Sequence, residues 1–476
     1  MKPENFCSKL EALFPFQPTE SQRSWFPKVS EFIVGKEKKT AFVLTGYAGT
    51  GKTTLIGNLV KQLNRSDYNA ILLAPTGRAA KVMATYSNYP AFTIHKKIYF
   101  PKSESGGGVS FQLKQNKHKN TVFIVDEASM IGDDRKQAKL FENGALLFDL
   151  IHYVNQGNQC KLIFVGDPAQ LPPVHLNLSP ALNVEELKHI HFDQVYAIQL
   201  EEVVRQTNDS GILMNATQLR EQLQMGVYDQ FKFDVTDKKD VLYTNNGLDI
   251  IEAIEDAYAQ SGISETVFIV LSNKRASVYN TNIRSRILGL EEELAVGDQL
   301  MVVKNNYFWL DVDSKPGFIA NGDVLEVLSI HSRKQLYGFS FAEVRVSMMD
   351  YPDEDPFETV LLLNTLNTDT PSLDYESANA LYQAVLEDYA HVKSKYKRFL
   401  KVKNNPFFNA LQVKYSYAIT CHKSQGGQWD HVFVEKPYLS DGPNEAYLRW
   451  LYTAITRAKK KLYLIGFPNE DIQGIE

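Results

Sequence analysis

Gly46-Tyr47-Ala48-Gly49-Thr50-Gly51-Lys52-Thr53-Thr54 fits the pattern G-x-x-x-x-G-K-[ST]. Thr40 to Thr45 before it reads as a short apolar strand. Leu55, Leu59 and Leu63 after it, at steps of four, mark one face of a helix. The glycines therefore sit where a strand turns sharply into a helix. Glycine tolerates the backbone angles of such a turn and lets N–H groups approach phosphate oxygens closely. The positive end of the helix faces the same anion. In this pattern Lys52 reaches the β- and γ-phosphates and the Thr53 hydroxyl ligates Mg²⁺. Gly46, Ala48, Gly49, Thr50, Gly51, Lys52, Thr53 and Thr54 form the candidate nucleotide cradle.

Further apolar strands end in polar loops on both sides of this cradle. Upstream, Thr19 and Gln22 have capping-box spacing at the start of a helix. Gln22 reads equally as a reader of an adenine edge, since an amide donates and accepts at once. Ala70 to Ala74 runs into Pro75-Thr76-Gly77-Arg78-Ala79-Ala80-Lys81. Ligands of open α/β sheets bind beyond the carboxyl ends of strands, so Thr76, Arg78 and Lys81 can meet phosphates; an ordinary capped loop is the plainer reading. Thr121 to Val125 ends in Asp126-Glu127. Asp126 suits the Mg²⁺ shell, and Glu127 suits a base or a group that orients water. Lys161 to Val165 leads to Asp167-Pro168-Ala169-Gln170, which puts the Gln170 amide near a γ-phosphate or attacking water.

Two insertions interrupt the α/β texture. Lys97 to Phe100 and Val109 to Leu113 flank the turn cluster 103–108, which predicts a small hairpin. Short β-rich segments from about 322 to 363 suggest a small barrel-like insertion. Leu381, Val385, Tyr389, Val392, Tyr396 and Phe399 then mark the face of one long helix that also carries Lys393 to Lys403. That charge run reads as a solvated face or as a nucleic-acid contact. The α/β texture resumes at Val413 to Thr420 and closes with Lys461 to Gly466.

The chain has 476 residues, 44% hydrophobic and 22% charged, with net charge −5. That length suits two to four domains. No global basic field announces nucleic acid, so such a site must be a local groove. Cys7, Cys160 and Cys421 are scattered and odd in number, which argues against a disulfide or metal framework and for a reducing, cytoplasmic setting. No membrane-spanning run and no signal peptide are read from the sequence.

As a set these motifs resemble superfamily 1 helicases, and within them the RecD-like group with its Dda-type members. The resemblance rests on Gly46 to Thr54, Ala74 to Ala80, Thr93-Ile94-His95, Val125 to Met130, Gly166 to Gln170, Leu200 to Gln206, Thr420 to Gly427 and Tyr452 to Arg457. It is thinnest in the hairpin and over 326–409. It implies two RecA-like P-loop domains: 1–96 with 120–199, and 200–325 with 410–476. It also implies a hairpin pin at 97–119 and an SH3-like plus helical insertion at 326–409. ATP with Mg²⁺ would lie between the two domains. Gln22, Lys52, Thr53, Asp126, Glu127 and Gln170 would act from the first domain, and Arg457 from the second. Arg205 would reach the γ-phosphate. Pro75, Thr76, His95, Thr420, His422 and Ser424 would contact single-stranded DNA. The implied activity is ATP-dependent 5′→3′ translocation and unwinding of forked duplex in replication, recombination or repair. The enzyme would work as a monomer, with single-strand-binding or recombination proteins as possible partners. A DNA-dependent switch ATPase or loader is the alternative from another class. A motor subunit of an exonuclease complex is also compatible, although the chain shows no nuclease carboxylate cluster. Tyr99, Phe100 and Phe111 are the candidate strand-separating rings, with Phe100 favoured. The plainer reading is that all three only pack the hairpin.

Overall fold

The computed structural model describes residues 2–103, 109–132, 145–190, 192–204, 210–311, 314 and 316–474. Its first sheet has six parallel strands in the order Ala91–Thr93, Asn69–Ala74, Thr121–Val125, Lys161–Gly166, Thr40–Gly46 and Gln194–Leu200. A parallel sheet covered on both faces must be apolar on both faces. Thr121–Val125 and Lys161–Gly166 are accordingly buried at every position. Helix Lys52–Leu63 places Leu55, Leu59 and Leu63 against this sheet with Trp25, Phe26 and Phe32 of helix Glu20–Val34. The short strands Ala91–Thr93 and Gln194–Leu200 carry no strong sequence signal, and the structure adds them at the two edges.

A second parallel sheet orders Val241–Thr244, Ala458–Ile465, Trp429–Glu435, Thr266–Val270 and Ala418–Thr420. It is joined to a closed five-strand barrel of Gln299–Val302, Val324–Leu336, Phe339–Met348, Phe357–Leu362 and Leu411–Tyr415. The barrel thus reaches beyond the expected bounds 326 and 409. Closure requires Gln299–Val302 to pair with both Val324–Leu336 and Leu411–Tyr415, and that long-range pairing leaves no local signature. The expected single long helix is also corrected. Tyr375–Glu387 and Lys395–Lys403 are two helices, the second capped by the Ser394 hydroxyl accepting from Lys397 N–H. A side-chain cap starts a helix, so Ser394 breaks the apolar face that the spacing suggested.

The hairpin strands Tyr99–Ser103 and Val109–Leu113 pair antiparallel, with Phe100 opposite Gln112. Residues 104–108 of the expected turn lie outside the described residues. An isolated two-stranded hairpin is marginal in water. At its base Tyr99 is buried and donates to Asp149 Oδ2 at 2.7 Å, while Lys96 Nζ donates to the Ser314 carbonyl at 2.8 Å. Tyr307 packs on the core cluster that holds Ile98 and Tyr99. The prop at the hairpin's base therefore comes from Asp149 and from the loop that carries Tyr307 and Ser314.

The barrel also meets the first sheet's helix Gly77–Ser87. A Cβ on Gly77 would lie 2.6 Å from Asp323 Oδ1, so this contact needs a glycine. Burial, with Asp350 beside it, raises the Asp323 carboxyl to about 8. An acid whose folded pKa lies above its unfolded value costs stability as the pH rises, here between about pH 4 and pH 8. Thermal melts should therefore fall across that window. Asp323→Asn keeps the acceptor for Ala320 N–H and should flatten the slope; an unchanged slope would remove Asp323 as its source. No helix among the described residues is long and apolar enough to cross a membrane.

Candidate nucleotide-hydrolysis site

The cradle is built from backbone. Gly49 and Gly51 have φ of 79° and 86°, a region that side chains rarely adopt. A Cβ on Gly46 would come within 2.7 Å of Thr50 Oγ1 and 2.9 Å of Leu200 Cβ. Lys52 Nζ donates to the Gly46 and Tyr47 carbonyls at 2.5 and 2.9 Å, so its ammonium is held inside the loop. Gln22 is buried and uses both ends of its amide: Oε1 accepts from Thr19 N–H, and Nε2 donates to the Thr50 carbonyl at 2.9 Å. The capping-box reading of Gln22 holds, and the same side chain braces the loop.

The acids follow at the end of Thr121–Val125. Asp126 accepts from Tyr86 Oη at 2.7 Å and from Glu127 N–H at 2.8 Å. Burial keeps the Tyr86 phenol protonated, which fixes it as the donor. Glu127 stands at φ 52°, left-handed for a non-glycine residue. Such strain persists only where the surroundings impose it, often at functional sites. Desolvation raises the Glu127 carboxyl above its ordinary value, against the pull of Arg457 and, less strongly, Lys52. Gln170 is buried, and its Oε1 has no hydrogen-bond partner among the described residues. Among the described residues no three His, Cys, Asp or Glu gather as a metal cage. Mg²⁺ sites that borrow ligands from phosphate need only one or two protein oxygens. Asp126 and the exposed Thr53 supply that donor chemistry beside the cradle.

The second sheet closes over these groups. Tyr452 Oη accepts from Ala48 N–H at 2.8 Å and donates to Asp167 Oδ2 at 2.7 Å. Thr453 Oγ1 accepts from Leu171 N–H, Arg449 donates to the Pro168 carbonyl, and Gln425 donates to the Leu171 carbonyl. Arg457 is buried and held by the Thr453 and Gly427 carbonyls. Its Nη1 lies 3.8 Å from Glu127 Oε1. A cation carried by the second sheet thus faces the acid at the end of a first-sheet strand.

Residues 33–232 match the family model of an AAA domain, and 415–465 match that of a UvrD-like helicase C-terminal domain. The chain is 25% identical over 484 residues to the ATP-dependent DNA helicase dda of Enterobacteria phage T4, covering 94% of this chain and 99% of that one. It is 30% identical over 158 residues to the ATP-dependent RecD2 DNA helicase of Deinococcus radiodurans, covering 32% and 19%. A Pif1 helicase from Bacteroides, crystallised with ADP-AlF3 and single-stranded DNA, aligns with TM-score 0.47 and 16% identity, over 96% of this chain and 94% of that one. By these matches the chain is similar to superfamily 1 helicases of the Dda/RecD-like group.

Not every residue that the helicase motifs suggested is placed for its expected role. Ser424 is fully buried, with its hydroxyl donated to the Cys421 carbonyl, so it props the loop and cannot reach a strand. Thr76 caps helix Gly77–Ser87, and Pro75 is partly exposed beside it. His95 is partly exposed, and desolvation lowers its pKa to about 4. Thr420 is partly exposed and His422 exposed. Arg78 and Lys81 turn away from the strand ends: Arg78 lies over the Trp429 ring, and Lys81 donates to the Met349 carbonyl. Arg205 lies outside the described residues, but Val204 N–H donates to the Gly49 carbonyl at 3.0 Å, which brings the preceding residue to the cradle. Tyr86 and Tyr452 are site residues that spacing alone missed.

Proposed function

We propose that this protein is an ATP-dependent DNA helicase. Two RecA-like lobes, built on the two parallel sheets, would close on ATP and step 5′→3′ along a single strand. The observation that carries the reading is Arg457, 3.8 Å from Glu127 across the contact between the sheets. In this scheme Lys52 and the cradle N–H groups hold the phosphates. Glu127 takes a proton from the attacking water, and the Gln170 amide orients that water. Arg457 and Arg205 stabilise charge on the transferring phosphoryl group when the lobes are together. Thr53 and Asp126 would hold Mg²⁺, which would supply charge neutralisation at the phosphates. Relatives named as DNA helicases support the activity, and the direction rests on the RecD-like resemblance. The strand would cross both lobes past Pro75, Thr76, His95, Thr420 and His422, touching backbone more than base edges. Forked duplexes with a 5′ or a 3′ tail test the reading: only the 5′-tailed fork should open, and opening of the 3′-tailed fork alone would refute the direction.

Phe100 stays the favoured strand-separating ring. Tyr99 is committed to the core, and the Phe111 side chain lies outside the described residues. Phe100 is 54% exposed, with Lys114 Nζ 4.9 Å from its ring centroid. Base stacking on a ring is worth roughly 1–3 kcal/mol, comparable to the ~1.4 kcal/mol cost of unstacking a step. Phe100→Ala should therefore cut unwinding severalfold while strand-stimulated hydrolysis stays within about twofold. Equal losses in both would assign Phe100 to packing.

A further inference from the structure

Arg78 lies on the loop-to-helix turn that also carries Pro75 and Thr76. Its guanidinium carbon is 3.9 Å from the centroid of the Trp429 ring. Trp429 is buried and belongs to the second sheet, two residues beyond the Gly426-Gly427 pair. Both glycines are required by this contact. A Cβ on Gly426 would lie 2.7 Å from Ala79 Cβ, and one on Gly427 would lie 2.9 Å from Arg78 Nε and 2.5 Å from the Trp429 ring. The Trp429 N–H donates to the Arg457 carbonyl at 3.0 Å. The Arg457 side chain donates to the Gly427 carbonyl. The stack therefore bears on both ends of Arg457, its backbone and its guanidinium.

The charge of Arg78 is managed by the barrel. Burial lowers its pKa, and Asp350 is the first carboxylate that opposes this. Asp350 is buried, has one oxygen without a hydrogen-bond partner among the described residues and lies 3.8 Å from Lys81 Nζ. A partly buried cation over an indole face makes an orientation-dependent contact, and the planar guanidinium suits it better than an ammonium does.

We propose that the Arg78–Trp429 stack is a positioning contact for Arg457. It would tie the strand-facing loop at Pro75 and Thr76 to the backbone that aims Arg457 at Glu127. Hydrolysis then reads whether the loop from each lobe is seated. This rests on the assignment of Arg457 as the cation that serves hydrolysis.

The test compares wild type, Arg78→Ala, Arg78→Lys and Trp429→Phe in steady-state ATP hydrolysis with and without oligothymidine, together with the affinity of each for that oligonucleotide. Arg78→Ala should lower strand-stimulated kcat by about tenfold, while KM for ATP and strand affinity stay within about twofold. Trp429→Phe retains a ring and should retain most of the rate. Arg78→Lys should fall between alanine and wild type. If kcat in Arg78→Ala holds within twofold, or falls only in step with lost strand affinity, the proposal is overturned. A melt that shows Arg78→Ala unfolded transfers the decision to Arg78→Lys, where wild-type kcat would overturn the proposal. If Arg457→Ala itself keeps wild-type turnover, the assignment of Arg457 fails first and the stack has nothing to position.

Discussion

Arg457→Ala should lower ATP turnover by about 10³–10⁵-fold, the range that a cationic finger contributes to phosphoryl transfer. The guanidinium is already aimed: three backbone or hydroxyl acceptors hold it 3.8 Å from Glu127. A group fixed before the reaction needs no reorganisation when charge develops on the phosphoryl oxygens. Because the fork, and not the charge alone, carries this geometry, Arg457→Lys should recover only a small part of the loss. Single-turnover hydrolysis with a parallel titration of a fluorescent ATP analogue separates the effects. A turnover loss matched by an equal loss of affinity would make Arg457 a ground-state ligand.

Glu127→Gln should lower hydrolysis by about 10²–10⁴-fold, the usual worth of a positioned general base, with ATP still bound. The substitution is nearly isosteric and leaves the left-handed backbone at this position as it is. The pH profile gives a second check. Glu127 must be ionised to accept a proton, and burial holds its carboxyl above the ordinary value. Activity should therefore fall on the acid side at a pH above the usual carboxylate range. Full hydrolysis by Glu127→Gln would remove it as the base, and a wild-type acid limb at an ordinary carboxylate pH would contradict the raised pKa.

What was legible in the sequence divides along physical lines. Parallel strands buried on both faces are continuous apolar runs, so Thr40–Gly46, Asn69–Ala74, Thr121–Val125 and Lys161–Gly166 could be read with errors of a residue at most. The glycine cradle was legible because only glycine satisfies its backbone. Short edge strands carry too few residues to signal, and Val241–Thr244 and Ala91–Thr93 were not read. Side-chain direction was not legible either. Motif spacing put Arg78 near phosphates and Ser424 near a strand. Tertiary packing turned Arg78 onto Trp429 and buried Ser424. Tyr452 was unreadable for the same reason: its partners Ala48 and Asp167 lie far away in the chain.

The pairing order of the two sheets also has a bearing on biosynthesis. All six strands of the first sheet lie between Thr40 and Leu200, so that sheet can assemble once this stretch has left the ribosome. The second cannot. Val241 finds its partner only at Leu462, and Phe268 only at Ala418 and Phe433. Its two earliest strands must wait through the whole barrel and both helices of the insertion before any neighbour is made. Unpaired apolar strands are open to association with other chains. The nascent protein thus passes through a vulnerable interval with the glycine-rich loop already in place, while Arg457, which meets Glu127 from the second sheet, is still to be translated.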